Sequence, residues 1–107
     1  MTEAAAGPSG PGTVILELGA DVGALVLFTP ADLDGREIEI SVEGGAGRRT
    51  HSQVRPRHMP TETKYAAVYP DLPVGAYTIW ADEHRPAGRV VITGGRVTNW
   101  SWPGPGT

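Results

Sequence analysis

Apolar residues in this chain recur at every second position in short runs, and Gly, Pro and Asp separate the runs. A period of two places alternate side chains on opposite faces of a strand, so each run reads as a β-strand. Eight such segments follow one another: 13–18 (TVILEL), 23–29 (GALVLFT), 36–43 (REIEISVE), 49–54 (RTHSQV), 63–69 (TKYAAVY), 76–82 (AYTIWAD), 88–93 (GRVVIT) and 96–102 (RVTNWSW). The second is apolar on both faces, which suits a central strand covered on both sides. The chain holds 15 Gly and 10 Pro, and no long window between them keeps a 3.6-residue apolar period. The pattern therefore predicts an all-β fold, an antiparallel sandwich of seven to eight strands with no substantial helix.

The third and fourth segments carry a register. Ile38, Ile40 and Val42 alternate with Glu37, Glu39, Ser41 and Glu43. If Glu43 faces Arg49 across the "GGAG" turn, then Ser41 meets His51, Glu39 meets Gln53 and Glu37 meets Arg55. A register shifted by two, with Glu39 opposite His51, keeps the same faces. A shift of one would set Arg49 and His51 beside the isoleucines, which burial forbids. Either permitted register gives a charged outer ladder and an inner set of Ile38, Ile40, Val42, Thr50, Ser52 and Val54.

The stretch "YPDLPVGAYTIW" stops one strand and starts the next. Pro70 and Pro73 donate no ladder hydrogen bond, so the preceding strand is expected to end near Tyr69. Gly75 supplies the freedom for a sharp turn. Tyr77, Ile79 and Ala81 then face one way and Thr78, Trp80 and Asp82 the other, with Tyr77 and Ile79 expected in the core. In "VITGGRV", Gly94–Gly95 fits a two-residue hairpin turn, which needs positive φ.

Tyr69, Leu72, Pro73, Gly75, Tyr77 and Ile79 fill the places of an aromatic–x–x–LP–x–G–x–Y–x–I phrase. That phrase resembles the hallmark of carboxypeptidase regulatory-like domains, whose fold is a prealbumin-like, Ig-like sandwich. The "PAGRVVITGGRVTNWSW" that follows resembles the paired last strands of such domains, and the likeness covers residues 65–102. It implies a non-catalytic module. Prealbumin-like hydrolases of purine breakdown end in Tyr-Arg-Gly-Ser, whereas this chain ends in "PGPGT", so that activity is not expected.

Composition narrows the function classes. Net charge is −3, with eight Arg and one Lys against 12 Asp and Glu, which argues against nucleic acid as a partner. No apolar run approaches the ~20 residues of a membrane span. The N-terminus has no basic n-region followed by an apolar h-region, which predicts a cytoplasmic chain. Without cysteine there is no disulfide framework and no thiolate metal site. Residues 1–12 and 103–107 are Gly, Pro and small side chains with little to bury. They are expected to be disordered tails around one domain at 13–102.

Candidate chemistry is sparse. Alternation places Arg49, His51 and Arg55, with Gln53, on one outer face, where an Arg row could grip an anion. The simpler reading is a ladder with Glu37, Glu39 and Glu43, each exposed pair worth about 0.2–1 kcal/mol. Pro56 is expected to break the row and leave Arg57 and His58 on a loop. His51, His58 and His84 show no ligand-type spacing, so no metal or other cofactor is expected. Trp80, or the pair Trp100 and Trp102, could stack on a sugar. For the pair, closure of the core is the stronger reading, with Asn99 and Ser101 facing water. The leading expectation is a non-enzymatic binding or structural module that meets another protein or its own copy. Carbohydrate binding is the second. A small enzyme or anion-binding protein built on the Arg and His strand is the third.

Overall fold

A computed structural model describes residues 19–45 and 48–103. Eight strands form: β1 (Val22–Thr29), β2 (Glu37–Val42), β3 (Arg49–Gln53), β4 (Arg55–His58), β5 (Thr63–Pro73), β6 (Gly75–Trp80), β7 (Pro86–Ile92) and β8 (Val97–Ser101), with a single 3-10 turn at Ala31–Leu33. They make two four-stranded sheets, ordered β4-β5-β1-β8 and β3-β2-β6-β7, so the fold is an all-β sandwich. The strand expected at 13–18 and the expected tails, apart from the exposed Pro103, lie outside the described residues.

Alternation decides what the sandwich buries. Leu25 and Leu27 of β1, Tyr69 and Leu72 of β5, Ile38 and Ile40 of β2, Tyr77 and Ile79 of β6, and Val90 and Ile92 of β7 meet between the sheets. The two tyrosines bring a hydroxyl into that core, and each hydroxyl is satisfied. Tyr69 Oη donates to the Ile38 carbonyl at 2.5 Å, which ties β5 of one sheet to β2 of the other. Tyr77 Oη donates to the Pro73 carbonyl at 2.6 Å, across the turn at Gly75. Gly75 has φ 142°, a conformation open to glycine. Trp100 and Trp102 pack against the core edge-to-face, with centroids 6.1 Å apart and planes at 89°, while Asn99 and Ser101 are exposed.

Two inward expectations fail at the rim of the second sheet. Val42 is 46% exposed, because it sits at the mouth of the sandwich. Thr50 is exposed because β3 is an edge strand. The β2–β3 register is the one with Glu39 opposite His51 and Ser41 opposite Arg49, so the parity argument holds and Glu43 has no partner on β3.

The larger corrections concern which strand neighbours which. The chain changes sheets at Val54. Its backbone still bonds to β2's sheet (Val54 N–H to Arg36 O, 2.8 Å; Gly35 N–H to Val54 O, 2.9 Å), and its side chain is fully buried. One residue later, Arg55 pairs with Ala66 of the other sheet. Pro56 therefore does not leave Arg57 and His58 on a loop. It lies within β4, an edge strand, where a missing donor costs little. Nor does β5 end at Tyr69. It runs through Pro73, and the register against β1 slips between Gly23 and Leu25, a bulge that accommodates Pro70. The pairing is antiparallel throughout except between β1 and β8, which run parallel. It follows that β7 and β8 are in different sheets, and Gly94–Gly95 is a crossing between sheets, not a hairpin turn. Gly95 does have positive φ (72°), and Gly94 is needed for a different reason. A Cβ there would lie 1.8 Å from the Ala20 carbonyl oxygen.

Three outcomes check this packing. Ile79→Ala should cost about 2–5 kcal/mol in urea unfolding, because its side chain is wholly enclosed. Gly88→Ala should cost about 1–3 kcal/mol and shift the tryptophan emission, since its new Cβ would lie 2.4 Å from the Trp100 ring; a neutral result would mean that Trp100 does not seat on β7. The third outcome concerns pH. Burial pushes the Tyr69 hydroxyl above its ordinary value, so the unfolded chain releases that proton first. Stability from this group is full below pH ~10 and falls as pH rises beyond it. Tyr69→Phe should flatten that alkaline fall while lowering stability at neutral pH by about 0.5–1.5 kcal/mol for the lost hydrogen bond.

Candidate functional site

The outer face of the β3-β2-β6-β7 sheet is built around Trp80. Register sets Glu39 beside Trp80 and Ser41 beside Thr78, with Arg49 on the far side of Ser41. The Trp80 indole N–H donates to Ser41 Oγ at 2.9 Å, and Ser41 is buried beneath it. The Arg49 guanidinium lies over the indole, 3.9 Å from the ring centroid, a cation–π stack. Its two terminal nitrogens donate to Glu39 Oε1 and to the Glu83 carbonyl, each at 2.9 Å. Around this cluster His51 Nδ1 meets Glu37 at 3.0 Å, and Arg89 grips both Glu43 oxygens through Nε at 3.0 and 2.8 Å.

The four residues singled out in the sequence thus divide. Arg49 and Trp80 come together, and His51 lies on the same face, across Glu39 from Trp80. Arg55 does not join them, because it belongs to the other sheet, where it reaches only the Gln53 amide oxygen at 3.3 Å. The anion-gripping row is therefore not formed: Arg49 is committed to Glu39, the Glu83 carbonyl and the Trp80 ring, and Arg55 faces elsewhere. The ladder reading holds for Arg49 and His51, each paired to a glutamate one position along rather than directly opposite. Trp80 is half-buried with Arg49 over its ring, and Trp100 and Trp102 are half-buried against the edge of the core. The stack was missing from the sequence reading because it needs the β2–β6 pairing, 39 residues apart at Ser41 and Trp80.

The other histidines are also accounted for locally. His58 Nδ1 is 3.1 Å from the Thr63 hydroxyl. His84 lies in the turn between β6 and β7, where Asp82 Oδ1 accepts the backbone N–H groups of His84 and Arg85 at 2.8 Å each. Those bonds, the His84 N–H first, hold the Asp82 carboxyl below its usual range. Among the described residues no three His, Asp or Glu side chains gather as a metal would need. No described helix is long and apolar enough to cross a membrane. An open recess of about 500 Å³ is lined by Ile40, Leu72 and Tyr77 of the core together with the polar Arg48, Arg49 and Asp71.

The outer face of the β4-β5-β1-β8 sheet is different. Reading across the register, one row is Arg55, Ala66, Phe28 and Ser101, and the next is Val68, Val26 and Asn99. Arg57 and Lys64 form a third, and Ala24 and Val97 a fourth. Ala24 and Ala66 are fully buried, Val26, Phe28 and Val68 are half-buried, and Val97 is 53% exposed. Lys64 holds its ammonium 5.2 Å from the Phe28 ring centroid. Arg57 donates to the Ala66 carbonyl at 3.4 Å. None of these face positions carries a carboxylate, and among the described residues Arg55, Arg57 and Lys64 form no ion pair.

Arg49→Ala should destabilise the fold by about 1–2 kcal/mol, since it uncovers an indole and leaves Glu39 without its partner. Arg55→Ala should change stability by under about 1 kcal/mol. Thermal melts of the two variants check this. The same melts in phosphate against chloride at matched ionic strength should show no Arg49-dependent rise.

No family model, no curated protein and no solved structure matches the chain.

Proposed function

We propose that this chain is a non-catalytic β-sandwich module that works by contact with another protein. The observation that carries the reading is the contrast between its two outer faces. On the β3-β2-β6-β7 face Glu37, Glu39 and Glu43 pair with His51, Arg49 and Arg89 and Trp80 is covered, so that face has its charges matched, and its exposed apolar side chain is Val91. On the β4-β5-β1-β8 face, aliphatic and aromatic side chains lie half-exposed beside cations that form no ion pair among the described residues. An apolar strip with a charged border is the usual make-up of a protein contact.

The resemblance of residues 65–102 to carboxypeptidase regulatory-like and prealbumin-like modules supports the same reading. So does the placement of the histidines, each engaged with a near neighbour and none facing another across a cleft. Sugar recognition is less well supported. It calls for a flat ring with a free face. Trp80 carries Arg49, Phe28 carries Lys64, and Trp100 and Trp102, half-buried, pack against the core and edge-to-face on each other.

Backbone hydrogen exchange of the full chain, alone and in extract of its source cells, tests the proposal. The macromolecular fraction should slow exchange in β4 and β5, and the low-molecular-weight filtrate should not. Protection by the filtrate would point to a small ligand and contradict a protein-contact role.

A further inference from the structure

We infer that the β4-β5-β1-β8 face receives an acidic protein surface, one that sets carboxylates around aliphatic side chains. The inference rests on the module reading above and names the chemistry of its partner. Charge complementarity carries it. The chain as a whole is negative, at −3, yet this face gathers Arg55, Arg57 and Lys64 with no ion pair among the described residues, and the one carboxylate in its four strands, Asp71, lies at the other end of β5. The three cations sit on the β4 side, and Asn99 and Ser101 form a neutral border on the β8 side. Between them Val26, Phe28, Val68 and Val97 make a strip of mostly branched aliphatic groups.

Each part of the face favours protein over the alternatives. An acidic polysaccharide would match the cations but leave the valines against hydroxyls. Nucleic acid would match the cations and stack on rings, but the single ring here, Phe28, is capped by Lys64. A carboxylate drawing Lys64 aside would gain an ion pair and uncover that ring for an aliphatic side chain. Steering by three cations affects the rate of encounter and the choice of partner more than raw affinity. The partner should therefore bind more weakly as salt rises, while the apolar strip still requires side chains to fill it.

The test is an NMR titration of the full chain with a short synthetic peptide that alternates Glu and Leu. The comparators are a Lys–Leu peptide, a Glu-only peptide of equal length and a heparin oligosaccharide. The Glu–Leu peptide should shift the Val26, Val68 and Val97 methyls and the Phe28 ring while leaving Leu25 and Ile79 in place. Binding should weaken about tenfold, or 1.4 kcal/mol, in Arg55→Glu/Arg57→Glu, and Lys64→Glu serves if that variant does not fold. Tighter binding of the Glu-only peptide, the Lys–Leu peptide or heparin would overturn the inference. So would concentration-dependent broadening of the same signals without peptide, which would mean a second copy, or a gain in affinity in Glu17→Lys, which would mean that the chain's own acidic segment occupies the face. Shifts confined to the opposite face, or to the edges of β3, β7 and β8, would overturn this surface and leave the module reading standing. No binding to any probe, together with no protection in cell extract, would remove both.

Discussion

Val54 is the residue at which the chain changes sheets, and much else depends on it. Its side chain is fully buried, and its backbone closes hydrogen bonds to Gly35 and Arg36 at the start of β2. The next residue pairs with β5. Nearby, Ser52 Oγ donates to the Val68 carbonyl at 2.8 Å, on the stretch of β5 that lies past its pairing with β4. This corner therefore satisfies backbone groups that a simple sandwich edge would leave to water. It also cuts one sequence run, "RRTHSQVRPRH", into two halves on different outer faces. Arg49 and His51 go to one face and Arg55 and Arg57 to the other.

That division produces the electrostatic contrast on which the functional reading stands. On the β3-β2-β6-β7 face, Glu37, Glu39 and Glu43 meet His51, Arg49 and Arg89. Isolated surface pairs contribute little, but Arg49 does more than pair. It is only 24% exposed at its side chain, it covers an indole, and it holds the Glu83 carbonyl of the β6–β7 turn. Arg36 adds a similar tie to the Ala81 carbonyl at 2.8 Å. On the opposite face, among the described residues, Arg55 and Arg57 make long contacts to neutral oxygens, at 3.3 and 3.4 Å, and Lys64 lies over the Phe28 ring. The same residue type thus holds the structure on one face and is left available on the other.

Much of the fold was legible because burial acts on alternation. The clean pattern of 36–43 placed Ile38 and Ile40 in the core, and the "LPVGAYTI" phrase placed Tyr77 and Ile79 there. Trp100 and Trp102 could be assigned to the core side from their spacing and their polar neighbours. Alternation names a face and not a neighbour, and that is where reading from the sequence stopped. Nothing local tells Gly94–Gly95 of a sheet crossing from Gly94–Gly95 of a hairpin. Pro56 and Pro70 look like strand breakers until one knows that the first lies on an edge and the second at a bulge. The candidate sites failed or succeeded for the same reason. Arg49 and Trp80 were both visible, but their stack depends on β2 lying between β3 and β6. Arg55 and Arg57 seemed to extend the Arg49 row, or to hang on a loop, because the change of sheet at Val54 has no sequence signal beyond one valine at an inward position.

The central claim is that the two faces hold their arginines differently, and the most direct measurement is guanidinium NMR of the full chain. Stacked on Trp80 and bonded at both terminal nitrogens, Arg49 should show slowed rotation about its guanidinium bonds and resolved terminal N–H signals. Arg55 and Arg57 should show fast rotation and averaged signals. Equal averaging at all three would contradict the account, since it would mean that the Arg49 face is no more closed than the face assigned to a partner.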